Sequence, residues 1–192
     1  MARPRSITDE RLLTAAGTVI GMVGPGFTLA QVAAEAGVAV GTVAQRFGSK
    51  NGLLLALSRS NTRSVVGRMR ECGELADPVE ALRAAVVVVY EGLGDAETAA
   101  NHLGQLGVDI GDPELRALLG EHFTAVEAEL RRLTRVAARV LPGAPGVVRA
   151  ARVLLGVANG AALDWSIRPK GRFTERVGQD VDAVLTAWKG VS

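Results

Sequence analysis

The stretch from Thr28 to Phe47 constrains this chain more than any other, because it reads as two short helices joined at Gly37. Thr28 suits an N-cap, since its hydroxyl can accept from an orphan amide of the first turn. Gln31, three residues on, can reach back and complete a capping box. Leu29, Val32, Ala33 and Ala36 then share one helical face. Gly37 falls where a left-handed residue closes a helix at little cost to glycine. Val38 is placed to plug the corner between the two helices. Val43 and Phe47, four apart, turn back towards the core. Val40, Gly41, Ala44 and Gln45 then occupy the opposite face, with Thr42 and Arg46 at its flanks. Such a pair is a helix-turn-helix, whose second helix can lie in the major groove of DNA. One side packs, and the other meets base edges and phosphates.

Further residues hold the same register: Leu12-Leu13, Ala15-Ala16, Val19-Ile20 and Gly24 upstream, and Ser49-Lys50 and Leu53-Leu54 downstream. With Val32-Ala33, Ala36-Gly37-Val38, Gly41-Thr42-Val43 and Phe47, they make residues 8–57 resemble the N-terminal domain of the TetR (tetracycline-repressor-like) family. Beyond this segment the resemblance is one of length, helicity and helix order. It implies a DNA-binding domain over residues 1–48 and a ligand-binding and dimerisation domain over 49–192. The expected DNA contacts are Thr28, Val40, Gly41, Thr42, Ala44, Gln45, Arg46 and Lys50. Three positions depart from the family pattern. Ala39 stands where a serine usually caps the second helix, Ala44 replaces a tyrosine, and Arg46 replaces a histidine or tyrosine. Ala44 cannot hydrogen-bond but can touch a thymine methyl, and Arg46 can supply a phosphate or guanine contact in place of the lost aromatic.

The charge distribution agrees. Net charge is only +2, yet residues 1–70 carry nine Lys or Arg against three Asp or Glu, whereas residues 71–192 carry thirteen against seventeen. The basic part is the one that holds the helix pair, as an electrostatic footprint for DNA requires. Arg3 and Arg5 lie in a short tail before the first helix, an arm able to reach a phosphate or the minor groove. The single cysteine, Cys72, has no intramolecular partner, reads as a structural thiol and suits a reducing cytoplasm. No apolar run approaches a membrane span, and the N-terminus lacks the apolar region of a signal peptide.

The remainder divides at caps and breakers into further helices. Ser49 caps a connecting helix with Leu53, Leu54 and Leu57, running to about Met69. Asp77-Pro78 starts the next, with Glu80 completing a capping box, and Asp95 starts another. Asp112-Pro113 opens a long helix in which Glu127 and Arg131 pair, and whose run of Arg131, Arg132, Arg135 and Arg139 reads as a solvated face. Residues 147–167 are apolar on nearly every side, and Thr174 caps a final helix. No strand alternation occurs, so the fold class is all-α with about nine helices.

A helix that is apolar all round must be covered on both sides. The resemblance implies that the last two helices form a four-helix dimer interface, through Leu155, Gly156, Gly160, Leu163, Val181, Val184, Leu185 and Trp188. It also implies a small-molecule effector held among the C-terminal helices. Met69, Tyr90, Leu103, Leu106, Phe123, Asn159 and Trp165 are the candidate lining, and the scarcity of aromatics and buried charges suggests an apolar or weakly polar ligand. Asn159 and Asp164, polar within an apolar helix, need partners. No catalytic constellation, metal-ligand spacing or phosphate-binding loop is visible, and no cofactor is implied. The reading is a homodimeric, ligand-responsive repressor of a palindromic operator, not an enzyme. The alternative is a small-molecule binder on the same fold without an operator.

Overall fold

Local capping sets most of the helix boundaries. The computed structural model describes residues 7–190. In chain order the helices are α1 Asp9–Val23, α2 Leu29–Ala36, α3 Val40–Phe47, α4 Lys50–Cys72 and α5 Pro78–Val88. They continue with α6 Ala96–Gly111, α7 Pro113–Ala137, α8 Val147–Ile167 and α9 Phe173–Trp188. Short 3-10 turns follow α1 at Gly24–Gly26 and α5 at Glu91–Leu93, and no strand occurs among the described residues. The all-α architecture, with nine helices among those residues, is therefore as expected.

Ser49, Asp77, Asp95 and Asp112 each accept from backbone amides in the first turn of the helix they precede. Two expected caps differ. Glu80 does not close a capping box but leans towards Arg83, 3.7 Å away. The last helix begins at Phe173 with Arg172 as its uncapped N-terminal residue, so Thr174 lies inside the first turn. α4 extends to Cys72, and α5 stops at Val88, leaving Tyr90 in the linking turn.

Two apolar clusters organise the packing. One joins α1, α2, α3 and the first half of α4 around Leu12, Val19, Phe27, Val32, Val43 and Leu53, with Leu115 of α7 completing it. The other joins the second half of α4 to α5, α7, α8 and α9 around Met69, Leu82, Leu130, Leu154 and Leu185. α4 thus belongs to both clusters.

Beyond α4, the head meets the body along α6. Asn101 Nδ2 donates to the Gly21 carbonyl of α1 at 2.8 Å. A Cβ at Gly21 would stand 3.0 Å from Thr98 Cγ2, and one at Gly24 would stand 2.9 Å from Asn101 Oδ1. These glycines let α6 lie directly on the end of α1. At the far end of α4, the buried carboxylate of Glu129 bridges Arg70 Nε at 2.7 Å and Arg132 Nε at 2.6 Å. Arg132 is therefore not simply part of a solvated face. Arg131 pairs with Glu127 as its spacing implied.

Gly37 offers a clean stability test, because its φ of 71° and ψ of 37° are left-handed while nothing lies within 4 Å of a Cβ built there. Gly37→Ala should cost about 1–2 kcal/mol through backbone strain alone. Gly37→Asn should lose clearly less, since Asn tolerates this region. Urea unfolding followed by circular dichroism measures both.

Candidate nucleic-acid interface and internal cavity

The groove-facing surface is built by the turn. Thr28 accepts from the Gln31 amide at 3.2 Å while Gln31 Oε1 accepts from the Thr28 amide at 2.8 Å, so the capping box fixes the start of α2. Gly37 ends α2, with its amide shared between the Ala33 and Ala34 carbonyls. α3 then starts at Ala39 without a side-chain cap, as the missing serine implied. Val43 is fully buried and Phe47 half-buried. Val40, Gly41, Gln45 and Arg46 are exposed, with Thr42 and Ala44 half-buried at the margin.

Two basic side chains of this surface have partners that the sequence did not reveal. Arg46 Nη1 meets Asp9 Oδ1 at 2.5 Å, tying α3 to the first turn of α1. Lys50 Nζ donates to the Pro25 carbonyl at 2.6 Å and the Phe27 carbonyl at 2.8 Å, and lies 4.2 Å from the Phe27 ring centroid. Its ammonium holds the turn between α1 and α2. Arg3 and Arg5 lie outside the described residues.

Between head and body lies a cavity of about 350 Å³. Gly17 and Ile20 of α1 wall it on one side, and Leu54, Leu57, Thr62 and Arg68 of α4 on another. Tyr90 and Leu93 close one end; His102, Gln105, Leu106 and Asp109 come from α6, and Leu119 and His122 from α7. Of the seven residues expected to line an effector pocket, Tyr90 and Leu106 do so. Met69 and Trp165 are buried in the body core, and Phe123 packs against it. Leu103 is half-buried outside the lining. Asn159 is exposed on α8, where its Oδ1 accepts from the Tyr90 hydroxyl at 2.7 Å. Asp164 accepts from Arg168 and, at 3.6 Å, pairs with Arg176.

The polar lining of α6 escaped the sequence reading, although His102, Gln105 and Asp109 recur every three or four residues on one face. Gln105 is only 5% exposed; its Nε2 donates to Asp109 Oδ1 at 2.7 Å, and its Oε1 is buried without a partner. Thr62 Oγ1 lies 3.0 Å from the Ser58 carbonyl and 3.0 Å from His122 Nδ1, so it tethers the imidazole to α4. Burial pushes the pKa of both His102 and His122 below the usual imidazole value. Burial raises that of Asp109, opposed by the Gln105 hydrogen bond. It also raises the Cys72 thiol, with Glu91 adding to the effect.

The dimer surface expected on the last two helices splits. Val181, Leu185 and Trp188 of α9, with Leu155 of α8, are buried in the subunit's own core, because their apolar face packs against α5 and α8. Val184 is half-buried against the same core. Gly156, Gly160 and Leu163 are exposed, and Val153 and Ile167 continue the same stripe of α8.

The molecule is a helix-turn-helix head set on a helical body, with a cavity between them. Residues 12–57 match the family model of the bacterial regulatory proteins, tetR family. The whole chain shares the fold of solved structures. A transcriptional regulator from Rhodococcus sp. Rha1 is 22% identical with a TM-score of 0.73, covering 97% of this chain and 100% of its own. FadR from Bacillus subtilis, solved with stearoyl-CoA, is 22% identical with a TM-score of 0.74, covering 96% and 100%. The TetR family regulator PfmR from Thermus thermophilus is 22% identical with a TM-score of 0.69, covering 92% and 97%. No curated protein matches the chain. The resemblance read from residues 8–57 thus holds, and the chain has the fold of TetR-family transcriptional regulators. No helix among the described residues is long and apolar enough to cross a membrane.

The two histidines are the only ones in the chain and give a pH test. Their folded pKa values lie below the unfolded value of about 6.5, so the folded state binds fewer protons than the unfolded one as acid is added. Stability should be full above that pH and decline below it. Asp109, raised, opposes this only nearer the carboxylate range. The melting temperature should fall as pH is lowered from about 7.5 to about 5.5, and combining His102→Gln with His122→Gln should flatten the profile.

Proposed function

We propose that the protein is a homodimeric repressor that binds a palindromic operator and is released by a small molecule held in the internal cavity. The observation that carries this is the division of α3: Val43 is buried, and Val40, Gly41, Gln45 and Arg46 form an exposed ridge. An exposed recognition helix of this kind supports base reading by Gln45 and contact with a thymine methyl by Val40 or Ala44. Thr28, Thr42 and the uncapped amides at the start of α3 are suited to phosphates, as the Arg3 and Arg5 arm would be. Arg46 would exchange Asp9 for a phosphate on binding, and Lys50 would serve by bracing the turn. We place the domain division within the reach of α4, which both apolar clusters share.

An operator with two half-sites about 34–36 Å apart requires two heads. The exposed stripe of Val153, Gly156, Gly160, Leu163 and Ile167 on α8 supports a twin subunit there, since the two glycines would let another helix approach closely. The cavity touches α1 and α4 of the head and α6 and α7 of the body, so a ligand would bias the geometry between them. The stearoyl-CoA complex of FadR supports an effector held on this fold. A cavity of about 350 Å³ supports a smaller one here.

The alternative, a binder without an operator, is favoured by the uncapped Ala39, by Ala44 and by the pairing of Arg46 with Asp9. Footprinting on fragments selected from the source genome separates the two. A protected palindrome with steep salt dependence is expected, and binding without sequence preference would refute the operator. Arg46→Ala should weaken operator binding about tenfold, more than Ala44→Tyr does, and Asp9→Asn should leave it equal or tighter. For the dimer, Gly156→Arg should keep the fold, because nothing lies within 4 Å of a Cβ there, yet shift the protein to monomers in sedimentation.

A further inference from the structure

Asp109 dominates the polar side of the lining. Gln105 is buried beside it, with Nε2 donating to Asp109 Oδ1 and with an Oε1 that has neither a partner nor exposed surface. Asp109 has its second carboxylate oxygen in hand and forms no ion pair among the described residues. Of the other charged side chains in the lining, Arg68 is neutralised by Glu91 at 2.9 Å. The imidazoles of His102 and His122 are uncharged at neutral pH, and the Tyr90 hydroxyl is spent on Asn159. One negative charge therefore remains without an ion pair among the described residues, beside apolar walls from Ile20, Leu54, Leu57 and Leu119. The planar Arg68 guanidinium in the same lining suits an aromatic neighbour.

From this arrangement we infer that the cavity takes a small organic amine, with a protonated nitrogen set against Asp109 and an apolar, preferably aromatic, body among the leucines. The inference rests on the reading of this cavity as the effector site. It replaces the apolar or weakly polar effector suggested by composition, because covering Asp109 with a purely apolar molecule would leave its second carboxylate oxygen unmet. A carboxylate ligand would meet Asp109 with like charge. A neutral alcohol would satisfy one acceptor without the charge-assisted bond.

The test uses the full-length protein and three matched probes: phenethylamine, phenethyl alcohol and phenylacetate. Calorimetric titration should give an amine affinity about tenfold tighter than that of the alcohol, with no phenylacetate binding detected. Asp109→Asn keeps the size of the side chain and an acceptor for Gln105 Nε2. It should bring amine and alcohol to within about twofold while leaving the unliganded melting temperature near that of the parent. Equal or tighter binding of the alcohol or phenylacetate, binding of none of the three, or an amine preference that survives Asp109→Asn would each overturn the assignment. The effector reading fails separately: it falls if a compound whose binding is abolished by Leu106→Trp leaves operator affinity unchanged.

Discussion

The closeness of α6 to the end of α1 is the constraint on which the rest of the molecule depends. A Cβ at Gly21 would press on Thr98 and one at Gly24 would collide with Asn101, and one at Gly104 of α6 would stand 3.3 Å from the Pro25 ring. Side chains of α6 thus rest on the bare backbone at the end of α1, and Asn101 fastens the junction to the Gly21 carbonyl. Close-packed contacts of this kind transmit displacement instead of absorbing it. The helix that supplies the polar wall of the cavity is thus the helix that braces the head.

Two basic side chains of the head help to hold it together. Lys50 clamps the turn before α2 through two carbonyls and a ring face, and Arg46 ties α3 to the start of α1. The pair with Asp9 is half-exposed and so weak in water, which lets a phosphate compete for the guanidinium. The turn clamp is built from neutral acceptors and is less open to exchange. A basic residue on this surface therefore cannot be equated with a DNA contact from its charge alone.

Much of the fold was legible because it is written locally. The capping box at Thr28, the left-handed Gly37 and the Asp-Pro starts at Asp77 and Asp112 each depend on neighbours within four residues. What the sequence concealed depends on pairing between distant helices. Periodicity marks Val181, Leu185 and Trp188 as apolar and helical, but not whether their own subunit or a twin covers them. The types of Tyr90 and Leu106 mark them as candidates for the cavity lining, whereas nothing local marks His102, Gln105 and Asp109, which join it only because α1 and α7 pack against α6. Glu129, buried between Arg70 and Arg132, was equally hidden within a charged run.

That buried carboxylate has a mechanical consequence. Burial works against ionisation of Glu129, yet the hydrogen bonds from Arg132 and Arg70 outweigh it and hold the pKa below its usual value. Arg70 binds one end of α4 to α7 through the Glu129 carboxylate, which Arg132 of α7 helps to keep ionised, while Lys50 fixes the other end to the head. With its 23 residues, α4 is a rod about 34 Å long, anchored at its foot. A tilt of about 2° about that foot would carry the Lys50 end sideways by roughly 1 Å, a scale at which hydrogen-bonded contact with a fixed row of phosphates is already impaired. A fulcrum at Arg70, so far from α3, turns a small rotation of α4 into a displacement of atomic size beside the exposed helix that is proposed to read DNA.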